Sequence, residues 1–249
     1  MDDNERPSML RPFWSRIYPG AWLYSVVLFV LVAALRTYAT FGPAKARPLF
    51  LFQFLLMWLL PFILLTRSGR QEIGICKVSR PAWLLWGPLL GALAAAGAVA
   101  VGFALYGYGS DNWMITLRNI YQEVAAPMGK WPAIAAFALP AAIVSPVGEE
   151  FFFRGLFHFS LKSVTSNGIA TCANSFAFAS VHLLVHGVSR DAAGLHVRTG
   201  SGLVWLFVVM GMAWVLTICR LRSGSLWPAI LAHSAGTLVT NATVFCLLM

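Results

Sequence analysis

The chain has 249 residues, of which 59% are hydrophobic and only 11% charged, with a formal net charge of +9. Soluble domains carry about 25% charged residues, so a soluble globular enzyme is excluded. At ~20 apolar residues per span, the composition predicts an all-α, polytopic bundle of about seven to eight transmembrane helices. The Lys and Arg residues sit singly or in small groups between apolar runs, as topology signals and headgroup contacts do. They form no soluble basic face, which argues against nucleic acid as a partner. Cys76, Cys172, Cys219 and Cys246 are scattered without CxxC spacing, so neither a disulfide framework nor a zinc ribbon is predicted.

In chain order, a polar tail over residues 1–19 carries Arg6, Arg11 and Arg16 ahead of a first span from about Gly20 to Phe41. That run is too long for a signal-peptide core and lacks a small-residue cleavage site, so it reads as an uncleaved anchor. Trp22, Tyr24 and Tyr38 suit the membrane interfaces, and Arg36 is expected to snorkel from the far end. A loop with Lys45, Arg47 and Pro48 leads to a second span, about Leu49 to Thr66. The next loop is the most basic (Arg67, Arg70, Lys77, Arg80), with Glu72–Ile75 read as a short interfacial turn. The third span, about Ala82 to Tyr106, is rich in glycine (Gly87, Gly91, Gly97, Gly102), which predicts close helix packing. From Asn112 to about Ala126 the mixed pattern predicts an interfacial amphipathic helix, a connector or lid.

The fourth span starts near Trp131 and meets Pro140 and Pro146, with Gly148 just ahead of two adjacent carboxylates. Proline removes a backbone donor and kinks a helix. The expectation is a break, with a new helix from Gly148 to about Ser163 opening into a wet cavity. Its exposed N-terminus would favour a carboxylate. Spans five to seven follow at about Gly168 to His186, Ser201 to Leu221 and Ser225 to Met249, with a polar stretch from Gly187 to Gly200. The basic residues slightly favour a cytoplasmic N-terminus. The organisation expected is a tail (1–19), N-terminal membrane helices with the amphipathic connector (20–130), and a catalytic helical core (131–249).

Of the nine acidic residues, Asp2, Asp3 and Glu5 fall in the tail, and Glu72, Asp111, Glu123 and Asp191 in loops or at interfaces. Only Glu149 and Glu150 remain for the embedded part. An ionisable group at membrane depth costs about 2.5–3.5 kcal/mol on lenient scales, so its default reading is functional. On a helix Glu150, Arg154 and His158 share one face, which lets Arg154 pair with Glu150. Glu149 lies ~100° round the helix, free to take a different partner. The bland alternative is a structural salt bridge.

Span five carries a stripe of Asn174, Phe178, His182 and His186, and span seven a stripe of His233, Thr237 and Asn241. Carboxylates, imidazoles and water converging inside a bilayer point to hydrolysis. No HExxH occurs, because His182 and His186 have its spacing without the glutamate. GxSxG and an intramembrane Gly-Asp pair are also absent. A serine–histidine dyad through Ser180 or Ser234 stays open.

The motifs resemble those of the CPBP intramembrane proteases, the Abi or CAAX-protease family that includes the Ras-converting CAAX endopeptidase. The segment Glu149-Glu150-Phe151-Phe152-Phe153-Arg154 is similar to its EExxxR motif, and Phe178 to His182 to its FxxxH motif. His233, following Ser225-Leu226-Trp227-Pro228, resembles its third histidine. Thr237 stands where the family carries Asn or Asp. The resemblance covers roughly Pro140 to the C-terminus. It implies a multi-pass intramembrane endopeptidase acting on a membrane protein or lipidated peptide substrate. Glu149 with His182 would activate water, Glu150 with Arg154 would orient the site, and His233 with Thr237 or another donor would stabilise the oxyanion. A glutamic mechanism without cofactor is favoured over a zinc-dependent one, in which Glu149, His182 and His233 would be the ligands. A non-catalytic binding or immunity protein of the same family is the alternative. A proton-coupled transporter is a third reading, and the inverted repeats it would need are not found. The short chain, without an organelle retrieval signal, suggests a bacterial inner membrane.

Overall fold

A computed structural model describes residues 9–18, 20–125, 128–191 and 194–248. Asp2, Asp3, Glu5 and Arg6 lie outside the described residues. The short helix α1 (Pro12–Ile17) precedes α2 (Ala21–Phe41) and α3 (Leu49–Leu64), with a 3₁₀ turn at Ala44–Ala46 between them. The chain ahead of α1 is pinned to the end of α3, since Arg11 N–H donates to Leu64 O at 2.8 Å and Thr66 N–H to Met9 O at 3.0 Å. Next come α4 (Arg67–Glu72), α5 (Trp83–Tyr106) and α6 (Trp113–Ala125). The expected interfacial turn begins where α4 ends, and α6 occupies the segment with the amphipathic pattern.

Residues Lys130–Lys162 form one continuous span. It is built from α7 (Lys130–Ala133), a π-helical segment (Ile134–Ala138), α8 (Leu139–Glu149), a second π segment (Glu150–Phe157) and α9 (His158–Lys162). The helix break expected at Pro140 and Pro146 is therefore absent. Pro140 follows closely on the first π segment, the kind of irregular turn that absorbs a missing donor, and Pro146 lies inside the helix. Gly148 has a different purpose from the relaxed backbone expected there. A Cβ at that position would lie 2.6 Å from the Phe54 carbonyl and 2.9 Å from the Trp58 ring. The glycine lets α3 approach, and Trp58 Nε1 then donates to Val144 O at 2.8 Å.

Helix α10 (Asn167–His182) ends four residues earlier than the polar stripe implies. At 16 residues it is about 24 Å long at 1.5 Å per residue, shorter than a full span. The polar stretch after it holds a two-stranded antiparallel hairpin, β1 (Val188–Asp191) and β2 (Gly194–Val197), which the sequence reading leaves as a loop. Two further spans complete the chain, α11 (Thr199–Ser223) and α12 (Trp227–Ala242), the latter continued by a π segment to Leu248. The result is a polytopic helical bundle. Among the described residues six helices are long and apolar enough to cross a membrane, and α10 is not one of them. Leu85, Trp86, Leu89 and Leu93 stand exposed along α5, a continuous apolar face that suits lipid.

Three of the four glycines named in α5 pack as expected, whereas Gly97 is exposed with nothing within 4 Å of its Cβ position. Gly87, Gly91, Ala95, Ala98 and Gly102 form its buried stripe. A Cβ at Gly87 would meet the Pro228 carbonyl and one at Gly91 the Ala232 carbonyl. The numbering advances together on both helices, so α5 and α12 run parallel with their backbones nearly touching, and α12 presents His233 from a fixed position. Trp113 and Met114 of α6 join Ala133, Ala138, Val244 and Phe245 in a separate apolar cluster, which closes one end of the bundle.

Overpacking a core costs about 1–3 kcal/mol, more where backbone must move. The variant Gly91→Val should therefore lower the melting temperature in detergent by several degrees. Gly97→Ala, whose Cβ meets nothing within 4 Å, should leave it unchanged or raise it. Equal melting of the two would refute the close packing.

Candidate active site

The second π segment carries Glu150 and Arg154. A π turn bonds i to i+5 rather than i+4, so the α-helical wheel that groups His158 with these residues loses its phase. His158 Nε2 meets Thr171 Oγ1 at 3.1 Å, away from the carboxylates. Glu150 and Arg154 do pair, Nη1 to Oε1 at 3.0 Å, both fully buried. The same Oε1 accepts from His233 Nδ1 at 2.9 Å. A carboxylate only accepts, so this bond fixes the proton of neutral His233 on Nδ1 and leaves Nε2 bare. That Nε2 lies 3.6 Å from Glu149 Oε2.

Glu149 is not free of ion pairing. Its Oε1 accepts from Arg36 Nη1 at 2.9 Å, across 113 residues of sequence. Arg36, expected to snorkel, is only 6% exposed. An arginine held this far from the helix end is stabilised by the buried carboxylate rather than by the headgroups. The same reasoning that singled out Glu149 and Glu150, an ionisable group inside an apolar span, applies to Arg36 and was its available signal. Glu149 Oε2 and Glu150 Oε2 have no hydrogen-bond partner among the described residues.

His182 is the last residue of α10. Its Nδ1 donates to the Phe178 carbonyl at 2.8 Å, since a carbonyl can only accept, and Nε2 is left as an acceptor. The Phe178 ring lies 4.4 Å from the His182 ring, with Arg154 Cζ 4.0 Å from its centroid on a cation–π contact. Trp205 Nε1 donates to His182 O at 3.0 Å and ties this helix end to α11.

Arg36, Glu149, His182, His233 and Thr237 all line one cavity of about 230 Å³. Its walls are mostly apolar, with Gly91, Ala94, Val209, Met212, Val215 and Leu216 among them. Glu150 and Arg154 sit behind it, touching it through His233 and Phe178. Thr237 makes no hydrogen bond to a described residue. Asn241 also lines the cavity, but its Nδ2 donates to Ala138 O at 3.2 Å and its Oδ1 accepts from Tyr121 at 3.1 Å. Tyr121 of α6 reaches the cavity, and burial pushes its phenol up to about 12.

His186 lies outside the cavity, beyond the end of α10. Its Nε2 meets Ser201 Oγ at 3.1 Å, and Ser201 in turn donates to Asp111 at 3.2 Å. Thr116 of α6 therefore donates to Nδ1, at 2.8 Å. This histidine fastens α6 to the bundle. Ser180 bonds Ala177 O of its own helix at 2.8 Å, and neither Ser180 nor Ser234 lines the cavity, so no serine–histidine dyad forms there. Among the described residues no three His, Cys, Asp or Glu side chains gather to hold a metal. A guanidinium lies on Glu149 Oε1, the carboxylate that a zinc set with His182 and His233 would share.

Residues 131–239 match the family model described as type II CAAX prenyl endopeptidase Rce1-like. Neither a curated protein nor a solved structure matches the chain. The matched segment supplies Glu149, Glu150, Arg154, His182, His233 and Thr237, whereas Arg36 comes from outside it.

Removing one partner of a buried ion pair costs about 3–5 kcal/mol, because the other charge is stranded. Glu150→Gln should lower stability by that order, and Glu150→Gln combined with Arg154→Met should recover part of it in a thermal melt. Additive losses would refute the pairing. Burial, helped by Arg198, pushes His186 down to about 4 from an ordinary 6.5. The unfolded chain then binds the extra proton between those values, so the contribution of His186 to stability is lost as pH falls from 6.5 towards 4. Amide exchange in α6 should quicken over that window, and His186→Gln should remove the dependence.

Proposed function

We infer that this chain, assigned to the CPBP/CAAX-protease family over residues 131–239, is an intramembrane endopeptidase that works through a glutamate-activated water and no metal. The observation that carries the reading is Glu149 Oε2, a buried carboxylate oxygen without a hydrogen-bond partner, on a residue lining the cavity shared with His182 and His233. A buried acceptor left open in this way is suited to an ordered water.

The chemistry follows from the proton positions. Water held by Glu149 Oε2 and His182 Nε2 attacks the scissile carbonyl carbon as Glu149 takes one of its protons. The carbonyl π electrons move to oxygen and give a tetrahedral oxyanion. When that intermediate collapses, the C–N bond breaks and Glu149 passes its proton to the departing amine. The water oxygen remains on the new carboxyl group. Glu150, held by Arg154, keeps the His233 ring in one tautomer and orientation, as a carboxylate behind an imidazole does. The substrate proposed is a membrane-embedded or lipid-anchored protein, whose apolar residues suit the cavity walls. The matched family's description points to the prenyl-modified class. The membrane proposed is a bacterial inner membrane.

One observation favours a second reading, a non-catalytic binding protein of the same family: Thr237 stands where an amide side chain is expected. The two readings part in one assay. Purified protein in detergent should cleave at least one member of a panel of membrane-anchored reporters, with no loss on adding a strong chelator. Glu149→Gln, which keeps the side-chain shape, should reduce turnover by at least ~10²-fold, the scale of a lost general base. Undiminished cleavage by that variant overturns the glutamic mechanism. Loss in chelator with rescue by zinc moves the chemistry to a metal, and a folded protein that cleaves nothing favours the binding reading.

A further inference from the structure

We propose that Arg36 is a further catalytic residue, donating from its guanidinium to the oxyanion of the tetrahedral intermediate. This rests on the endopeptidase reading above.

The argument is a count of donors around the cavity. An oxyanion needs hydrogen-bond donors fixed in place before the charge develops. His233 cannot supply one while neutral, because its single N–H is spent on Glu150 at 2.9 Å and its other nitrogen is an acceptor. His182 is in the same condition, with its N–H given to Phe178 O. The Asn241 amide is committed to Ala138 O, and the Tyr121 hydroxyl to Asn241. Trp205 Nε1 is committed to His182 O and the Thr240 hydroxyl to Gly236 O. Ser145 and Thr237 each line the cavity with one neutral hydroxyl to offer, and Thr237 stands where the resemblance expects Asn or Asp.

Arg36 meets the requirement. It lines the cavity, is only 6% exposed and lies 2.9 Å from Glu149 through a single Nη1 bond. Its Nε–H has no partner among the described residues. Guanidinium carries five donors in a rigid plane and never loses its charge in a protein. A carbonyl attacked by water that Glu149 holds is within reach of a group already touching Glu149. A counter-ion alone would satisfy Glu149 without needing to face the cavity.

The inference makes separable demands on kinetics. Arg36→Gln should lower kcat by ~10²–10³-fold, the scale of losing one oxyanion donor. KM should change by no more than about twofold, since the interaction exists only in the transition state. Adding Thr237→Asn to Arg36→Gln should recover part of kcat, which a pure counter-ion role does not allow. A peptidyl phosphinate, whose tetrahedral anion mimics the intermediate, should lose affinity for Arg36→Gln by about the same factor as kcat. Should Arg36→Gln fail to fold, Arg36→Lys keeps the charge but not the planar fork, and should still lose kcat by at least ~10-fold.

A folded Arg36→Gln, or Arg36→Lys, with wild-type kcat overturns the proposal and leaves the protease reading standing. A kcat loss that Thr237→Asn does not recover, with phosphinate affinity unchanged, also overturns it and leaves Arg36 as a counter-ion. Wild-type protein that cleaves no reporter overturns both readings together.

Discussion

Two carboxylates persist inside an apolar bundle because two guanidiniums are fixed against them. Arg36 lies on Glu149 at 2.9 Å and Arg154 on Glu150 at 3.0 Å. Stranding any one of these charges would cost several kcal/mol, whereas the four together are neutral. The condition shapes the fold well beyond the motif. Arg36 belongs to α2, so the first span must dock on the helix that carries Glu149. That helix accepts α3 at the same level only because Gly148 leaves room for the Phe54 backbone. The N-terminal helices therefore complete the electrostatics of a site whose recognisable residues all lie later in the chain.

Much of this was legible in the sequence. The spans follow from apolar run length, the α5 contact with α12 from a stripe of small residues, and the convergence of Glu149, His182 and His233 from the scarcity of ionisable groups in apolar helices. Three features were not legible, each for a physical reason. The π segments change helical phase without a sequence signature as clear as proline, and the one at Glu150–Phe157 moved His158 away from the carboxylates. Proline at 140 and 146 reads locally as a break, but the first follows closely on a π segment and the second lies between Val144 and Gly148, where α3 packs. Arg36 was misread because an arginine five residues from a helix end can equally snorkel or turn inward. Only the partner, 113 residues away, decides between the two.

The far end of the cavity depends on a different set of contacts. Tyr121 reaches in from α6 to Asn241, His186 joins α6 to the start of α11, and Trp205 caps the end of α10 where His182 sits. Burial by aromatic rings and hydrogen bonds through neutral groups hold this region, with no buried ion pair among the contacts just named. It is the softer part of the enclosure. On the endopeptidase reading, a substrate chain entering here would exchange neutral hydrogen bonds of about 1 kcal/mol each, which costs far less than parting a buried ion pair.

On the endopeptidase reading proposed above, the Arg36–Glu149 pair raises an apparent conflict, because the guanidinium already neutralises the carboxylate that is to take the proton. The conflict disappears when charge is followed through the reaction. Before attack the cavity holds one carboxylate and one guanidinium in contact. As Glu149 accepts the proton it becomes neutral, and the negative charge reappears on the carbonyl oxygen. If the guanidinium serves that oxygen, the ion pair has moved from one partner to the other and no charge is ever left alone in an apolar enclosure. In that proposal the contact with Glu149 belongs to the resting state and the contact with the oxyanion to the point where charge develops, and only the second kind of interaction lowers the barrier. A neutral amide donor would stabilise the oxyanion without relieving Glu149. An arginine in the proposed role would do both, and under that proposal a threonine at position 237 is compatible with turnover.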